Sequence, residues 1–140
     1  MNVGRFVFAN VNEMPHGFWR WPHFDAATEW ACKGTGKIVV VPDFMDRLEE
    51  LRVRVGFALP INSGYRSPEH NQAVSSSGDD GPHTTGQAAD IRVHSLQAMT
   101  VLSAALQLGF VGVGVQQKGP HGGRYIHIDT ARAVPALWSY

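Results

Sequence analysis

The chain has 140 residues, which fits one domain with its own apolar core. Its 12 Lys and Arg side chains balance its 12 Asp and Glu side chains, so no long-range field favours a polyanion, and a specific neutral or zwitterionic ligand is the better expectation. No apolar run approaches the roughly 20 residues of a membrane span, and the first thirty residues lack the apolar stretch of a signal peptide. We therefore expect one domain over residues 1–140, a monomer made in the cytoplasm, without nucleic-acid partners or membrane insertion.

The N-terminal third is rich in aromatic residues and irregular, because Pro15 and Pro22 interrupt regular structure. We expect residues 1–23 to pack as an aromatic segment on the core, with the alternative that one or two nearby rings line a ligand groove. The rings concerned are Phe18, Trp19, Trp21, Phe24 and Trp30. Cys32 is the single cysteine, so it cannot form an internal disulfide and is predicted to be a small buried residue.

The middle of the chain predicts a strand, a helix and a turn. The segment "IVVVPDFMDRLEELRVRVGF" favours a short strand and then a helix, since apolar residues recur with helical spacing and Gly56 can end it. The recurring positions are Phe44, Leu48, Leu51 and Val55. In "INSGYRSPEHNQAV" a strand end and tight turn should present Arg66, and Pro68 can begin a short helix. Residues 75–81, "SSSGDDG", have the composition of a flexible loop.

The second half predicts mainly strands. "QAADIRV" favours a strand, and the following helix can be capped by Ser95 and ended by Gly109. The apolar positions expected along this helix are Leu96, Met99, Leu102 and Leu106. "FVGVGVQ" and "RYIHIDT" predict two further strands, joined by a glycine-rich loop. The whole pattern is typical of an α+β domain in which helices pack against a small, mostly antiparallel sheet.

Two of these strands carry ionisable side chains that need an explanation. In "RYIHIDT" the side chains alternate, so His127 and Asp129 lie on the face opposite the isoleucines, where burial would demand a partner or a metal. Asp90 likewise faces away from its apolar neighbours, and His83 comes just before that strand. If the strands are adjacent, these groups converge into a His, Asp, His set that suits zinc with an open fourth position. The alternative is that they are ordinary hydrogen-bonded loop and strand residues.

Three motifs, in order, resemble the signatures of zinc peptidases that act on bacterial cell-wall peptides. The motifs are "SGYRSPEHN" from Ser63, "HTTGQAAD" from His83 and "RYIHIDT" from Arg124. They are most similar to those of the zinc D-Ala-D-Ala carboxypeptidases and related murein endopeptidases, which read SGYRSP…N, SxHxxGxAxD and (F/Y)(V/I)HxD. The likeness extends over residues 24–131, because "HFDAATEWACKGTGKIVV" also resembles the entry segment of the family.

The resemblance implies a hedgehog-like or D-Ala-D-Ala-peptidase-like α+β fold with Zn²⁺ held by His83, Asp90 and His127. Bound zinc would lower the pKa of a water towards about 7 and polarise a substrate carbonyl. Arg66 would steady the substrate carboxylate or the oxyanion of the tetrahedral intermediate. Tyr125, on the same strand face as His127, is a further candidate for substrate binding.

The chain departs from the family pattern at two positions. Gly81 stands where a hydroxyl is expected, and Arg124 stands three residues before the last histidine, where many members have an acidic general base; a guanidinium cannot take a proton from water. Asp129 is then the candidate for general base, or alternatively for a group that orients a zinc ligand. His121 is an alternative acid/base group, or else a mobile surface histidine.

Together these observations predict a zinc metallopeptidase that hydrolyses an amide bond in peptidoglycan stem peptides or cross-links, as a D,D-carboxypeptidase or an endopeptidase. The apparent lack of a signal peptide favours a phage or prophage lysis enzyme that reaches the wall after release, or one carried on a virion. The alternative is a zinc-binding domain of the same fold, for wall recognition or virion structure, that has lost hydrolysis.

Overall fold

The computed structural model describes residues 4–75 and 81–140. Most of the loop predicted at 75–81, residues 76–80, lies outside this part of the chain. The strands are β1 Phe6–Phe8, β2 Ile38–Val40, β3 Ile61–Ser63, β4 Ala88–Ile91, β5 Gly112–Gln116, β6 Tyr125–Asp129 and β7 Ala136–Ser139, and the α-helices are α1 Pro42–Val55, α2 Pro68–Val74 and α3 Ser95–Gln107. None of the described helices is long and apolar enough to cross a membrane.

The strands form two sheets. β1 and β2 make a small antiparallel ribbon, and the other five strands form a sheet in the order β3-β4-β6-β5-β7. All neighbours in the larger sheet are antiparallel except β5 and β7, which run parallel. The predicted α+β class with a mostly antiparallel sheet is confirmed.

The register of the larger sheet places one row of residues directly across all five strands. Ser63 pairs with Asp90, and Asp90 pairs with His127. Gly114 of β5 pairs with His127 on one side and with Trp138 of β7 on the other. Because directly paired residues project from the same face of a sheet, this row brings polar and aromatic groups together on one face.

The opposite face of the sheet belongs to the core. Ile126 and Ile128 of β6 are almost fully buried there, and α3 packs against β6 and α1. Helix α1 buries its regularly spaced apolar residues and ends at Gly56, whose φ of 79° is in the left-handed region that glycine adopts without penalty. The helix predicted from this periodicity is confirmed.

The predicted details of α3 were wrong in two respects. The N-cap is His94 rather than Ser95. Ser95 is instead the first residue of the helix and has a positive φ of 55°. Leu96, Met99 and Leu106 are exposed, while the helix buries a row of small residues. That row is Ala98, Val101, Ala104 and Ala105. Small side chains let α3 lie close to α1 and the sheet. Close packing therefore turned this row of small residues toward the core, although the larger apolar side chains of the helix had suggested a different orientation.

The N-terminal aromatic residues lie against the same core. Trp21, Phe24 and Trp30 are buried, and Phe18 and Trp19 pack partly buried against them. Cys32 is also buried, as predicted, and its Sγ accepts a hydrogen bond from the backbone N–H of Ser67 at 3.3 Å.

Candidate metal centre

His83, Asp90 and His127 meet on the polar face of the sheet. Asp90 Oδ1 lies 3.3 Å from His83 Nε2 and 3.1 Å from His127 Nδ1, and one ligand atom from each of the three residues falls within 4.8 Å of the others. All three side chains are buried. The set therefore has the donor types, spacing and shielding from water that a zinc ion requires.

Two different local structures deliver these side chains. Asp90 and His127 are direct partners in the β4–β6 pairing, so the strand register alone brings them together. His83 lies in a single 3₁₀ turn, Pro82–Thr85, which ends at Gly86 with a φ of 80°. A Cβ at Gly86 would stand 2.9 Å from Val39 Cγ1, so only glycine lets this turn approach the core.

The hydroxyl missing at Gly81 is compensated within the same turn. Thr84 Oγ1 donates to the carbonyl oxygen of Gly81 at 2.6 Å, and Thr85 Oγ1 donates to that of Pro82 at 2.7 Å. These two bonds close the turn that carries His83, so a side-chain hydroxyl at position 81 is not needed to shape it.

When both imidazoles are neutral, as metal ligands must be, their hydrogen-bond partners leave unprotonated nitrogens facing Asp90. His83 Nδ1 is 2.8 Å from the carbonyl oxygen of Gly64, which can only accept, so this nitrogen carries the proton and Nε2 presents a lone pair to Asp90. His127 Nε2 is 2.7 Å from Asp129 Oδ2, so Nδ1 likewise presents a lone pair. Two imidazole lone pairs and a carboxylate oxygen repel each other unless a cation lies between them. The residues present therefore fit a bound Zn²⁺.

The charged groups around the cluster shift each other's pKa. Burial alone would raise the pKa of Asp90, but hydrogen bonds and charge from His127 and His83 hold it well below its ordinary value. Burial would lower the pKa of His127, yet its bonds to Asp129 and Asp90 raise it. These bonds favour an additional proton on His127, which offsets the charge of the two carboxylates, and a bound cation would take the place of that proton.

Arg66 is fixed beside the cluster by three side chains. Its Nε donates to Ser63 Oγ at 2.8 Å and its Nη1 to Asn71 Oδ1 at 3.0 Å. Its Nη2 donates to Asp90 Oδ2 at 3.3 Å, so the two oxygens of Asp90 face the cluster and the guanidinium separately. Arg66 is thus brought to the cluster, with its orientation set before any substrate binds.

A cavity of about 390 Å³ opens over this face of the sheet. The cluster, Arg66 and Tyr125 all line this cavity. None of the aromatic rings of residues 18–30 lines it. The cavity is large enough for a small peptide segment and provides a metal site, a fixed cation and aromatic surface.

The sequence analysis did not single out Arg132, Trp138 and Tyr140, which also line the cavity. Trp138 and Tyr140 come from β7 and the residue after it, a strand that the sequence did not predict. The signal was in β5: a Cβ at Gly114 would stand 2.6 Å from Trp138 Cε2, so the glycines of "GVGVQ" make room on the polar face. A glycine repeated at every second strand position indicates that something else occupies that face.

The two candidates for general base occupy different surroundings. Asp129 has no exposed surface; it accepts from His127 Nε2 and from Arg132 Nε and does not line the cavity. His121 is not brought to the cluster: its ring stacks on His94 with centroids 4.0 Å apart and borders a separate cavity. Arg124 also lies elsewhere: it comes just before β6, three positions ahead of His127, and it lines a different cavity together with Ile126 of the opposite strand face.

Comparison with known proteins agrees with the motifs. No curated protein matches the chain closely enough to count as a relative. A family model described as Peptidase M15 matches residues 22–129, which include the first two motifs, the third up to Asp129, and every residue of the His83, Asp90 and His127 cluster. The chain belongs to the peptidase M15 family, whose members are zinc peptidases of the D-Ala-D-Ala carboxypeptidase type.

Proposed function

We propose that this protein is a zinc metallopeptidase that hydrolyses an amide bond in peptidoglycan stem peptides or cross-links, in the setting of a phage or prophage lysis enzyme. One observation carries the proposal: the two histidine lone pairs and the Asp90 oxygen converge at the floor of a peptide-sized cavity, beside a fixed guanidinium. Family membership supports the same chemistry.

His83, Asp90 and His127 would hold the zinc. When bound there, zinc supplies a water of lowered pKa and polarises the scissile carbonyl. The protein keeps the three ligand side chains buried and the two histidines correctly protonated. Gly64 and Asp129 set this protonation by accepting the outer N–H of His83 and His127.

Asp129 is assigned the orienting role rather than that of general base. Its full burial and the bonds that its Oδ2 accepts from His127 Nε2 and Arg132 Nε support this assignment, because Asp129 does not line the cavity. Its charge makes the His127 imidazole a stronger donor toward a cation. A surface role for His121 is supported by its exposure and by its stacking on His94.

Arg66 and Tyr125 are assigned to the substrate. Each terminal nitrogen of Arg66 has one N–H beyond those bound to Asn71 and Asp90, and Arg66 is one of the residues that line the cavity. These donors can stabilise negative charge that develops on the carbonyl oxygen. Tyr125 packs against Tyr140 with ring centroids 5.3 Å apart, and both residues line the cavity.

A second candidate function is a zinc-dependent domain that binds wall peptides without cleaving them. The observation that favours it is the lack of an evident general base: within residues 4–75 and 81–140, Asp90 is the one carboxylate that lines the cavity, and it is bound to both histidines. A peptidase must pass a proton from water to the leaving amine, and this candidate differs in lacking that step.

Digestion of purified sacculi separates the two functions. Zinc-loaded protein is incubated with sacculi from near-neutral to mildly alkaline pH, and the released fragments are identified by mass spectrometry. The peptidase predicts new fragments that require zinc and are absent with a His83→Ala variant, and their termini name the bond that is cleaved. If the protein only co-sediments with sacculi in a zinc-dependent way, the binding domain is the correct function. If the protein neither cleaves sacculi nor binds them in a zinc-dependent way, both proposals are contradicted.

A further inference from the structure

The C-terminal segment Arg132–Tyr140 builds one wall of the cavity. It follows the part of the chain that matches the family model, residues 22–129, so the match itself assigns it no role. The segment crosses to the far edge of the sheet and returns as β7, which is parallel to β5. Trp138 then lies over Gly114 with its ring centroid 5.1 Å from that of His127.

Arg132 is held in this wall by two contacts of different kinds. Its Nε donates to Asp129 Oδ2 at 3.1 Å, and its guanidinium carbon lies 4.3 Å from the ring centroid of Trp138. The ion pair fixes one edge of the guanidinium and the indole fixes its plane. The group is therefore oriented before a ligand arrives.

The opposite edge of the Arg132 guanidinium is free to bind a ligand. Its two terminal nitrogens have no hydrogen-bond partner among residues 4–75 and 81–140, and the side chain is 34 % exposed. Arg66, by contrast, uses all three of its nitrogens on protein partners and is 15 % exposed. Two parallel N–H groups on one edge match the two oxygens of a carboxylate.

The charge of the cavity points to the same ligand. Among the residues that the structure describes, the charged side chains lining the cavity are the guanidinium groups of Arg66 and Arg132 and the carboxylate of Asp90, so positive charge is in excess there even before a cation binds. Asp129 does not line the cavity; it pairs with Arg132 through Nε and leaves the two terminal nitrogens of this lining residue without a hydrogen-bond partner in the described part of the chain. An anionic group on the substrate would be stabilised at this wall.

We propose that Arg132, stacked on Trp138, is a specificity-determining residue that binds a carboxylate of the peptide substrate. This inference rests on the proposed peptidase function and names the substrate class that the site prefers. The carboxylate has two possible sources: the C-terminal carboxylate next to the cleaved bond, or the side-chain carboxylate of an acidic residue within the peptide.

Three synthetic stem peptides test the inference. The parent peptide carries both carboxylates, the second has a C-terminal amide, and the third has its internal acidic residue replaced by the corresponding amide. Zinc-loaded wild-type protein should prefer the parent over one of the two analogues by about 10- to 100-fold in kcat/KM, the range expected for charge-assisted hydrogen bonds. The analogue that is disfavoured identifies the source of the carboxylate.

Variants at Arg132 separate recognition from structure. Arg132→Gln should remove the preference, so that the parent and the disfavoured analogue react equally, and Arg132→Lys should give an intermediate ratio because one ammonium cannot offer two parallel donors. Arg92→Gln, an exposed arginine just after β4, should keep the wild-type ratio. An equal loss on all three peptides with Arg132→Gln, or a wild type without any preference, would overturn the inference.

The binding of the same peptides, measured by calorimetry, keeps the two proposals distinguishable. If the wild type cleaves none of the peptides, the peptidase function fails, and the ratio of dissociation constants for parent and analogue still reports on Arg132. Zinc content and thermal unfolding of each variant show whether its fold and cluster are intact. A folded, zinc-containing Arg132→Gln protein that retains the wild-type binding ratio would also overturn the inference.

Discussion

Two pairs of histidines in this protein come close together, but their surroundings differ. His83 and His127 have ring centroids 5.1 Å apart, and both are buried beside Asp90. His94 and His121 stack even closer, at 4.0 Å, but at the surface, and no carboxylate forms an ion pair with either of them in the described part of the chain. Proximity of rings is therefore not what distinguishes the candidate metal site.

The two histidine pairs differ in whether hydrogen-bond partners fix which ring nitrogen carries the proton. Each histidine of the buried pair donates its outer N–H to a fixed acceptor, Gly64 or Asp129, and presents its other nitrogen to Asp90. In the stacked pair His94 Nδ1 is bonded to the hydroxyl of Ser95, which can donate or accept and so fixes no tautomer. A metal site needs acceptors on the outer side of its ligands as much as it needs the ligands.

The largest expected effect comes from removing a ligand of the buried pair. His83→Ala should abolish stoichiometric zinc binding and any zinc-dependent cleavage, because the two remaining protein ligands are too few to hold the ion against water. Zinc content after dialysis, measured by atomic absorption, tests this. His94→Ala is the matched control and should keep the wild-type zinc content; equal zinc loss in both variants would show that the buried pair is not special.

A smaller effect is expected when the outer acceptor is changed. Asp129→Asn should lower zinc affinity by about 10- to 100-fold, because His127 loses the charge that orients it and strengthens its donor nitrogen. Competition with a chelator of known affinity measures the change. Glu50→Gln, which removes only an exposed pair with Arg54, should leave the affinity unaltered. An unchanged affinity in Asp129→Asn would remove the proposed orienting role.

Space around the outer acceptor should matter for stability. A Cβ at Gly112 would overlap the carboxylate of Asp129, so Gly112→Ala should destabilise the fold by about 1–3 kcal/mol, the usual cost of overpacking. Gly122→Ala, in the loop beside His121, has no atom within 4 Å of the added Cβ and should change stability by less than about 0.5 kcal/mol. Urea unfolding compares the two, and equal midpoints would argue against tight packing of Asp129.

The smallest effect is expected at His121. His121→Gln should leave zinc content, peptide cleavage and stability near the wild-type values, because its exposed ring contacts His94 rather than the cluster. Steady-state cleavage of a stem peptide and its dependence on pH measure this. A large fall in kcat with normal zinc content would restore His121 as the acid/base group and make the two histidine pairs parts of one mechanism.

Sequence analysis predicted the candidate ligands because their signals are local. Alternation along β6 places His127 and Asp129 on one face, and His83 comes just before the strand that carries Asp90. It assigned the wrong residues to the exposed and buried sides of α3, because Leu96 and Met99 are larger than the alanines that close packing selected. It also missed β7, whose short, half-exposed sequence has little hydrophobic periodicity of its own.

By itself the sequence determined the family, the α+β class and the His, Asp, His donor set, since motifs and side-chain alternation follow from residues close together in the chain. Only the tertiary structure decided that Asp129 binds the outer nitrogen of His127, Nε2, and that Arg132 and Trp138 form a wall of the cavity. Those assignments depend on the cross-strand register of β5, β6 and β7, which distant segments set jointly when they bury the apolar face of the sheet.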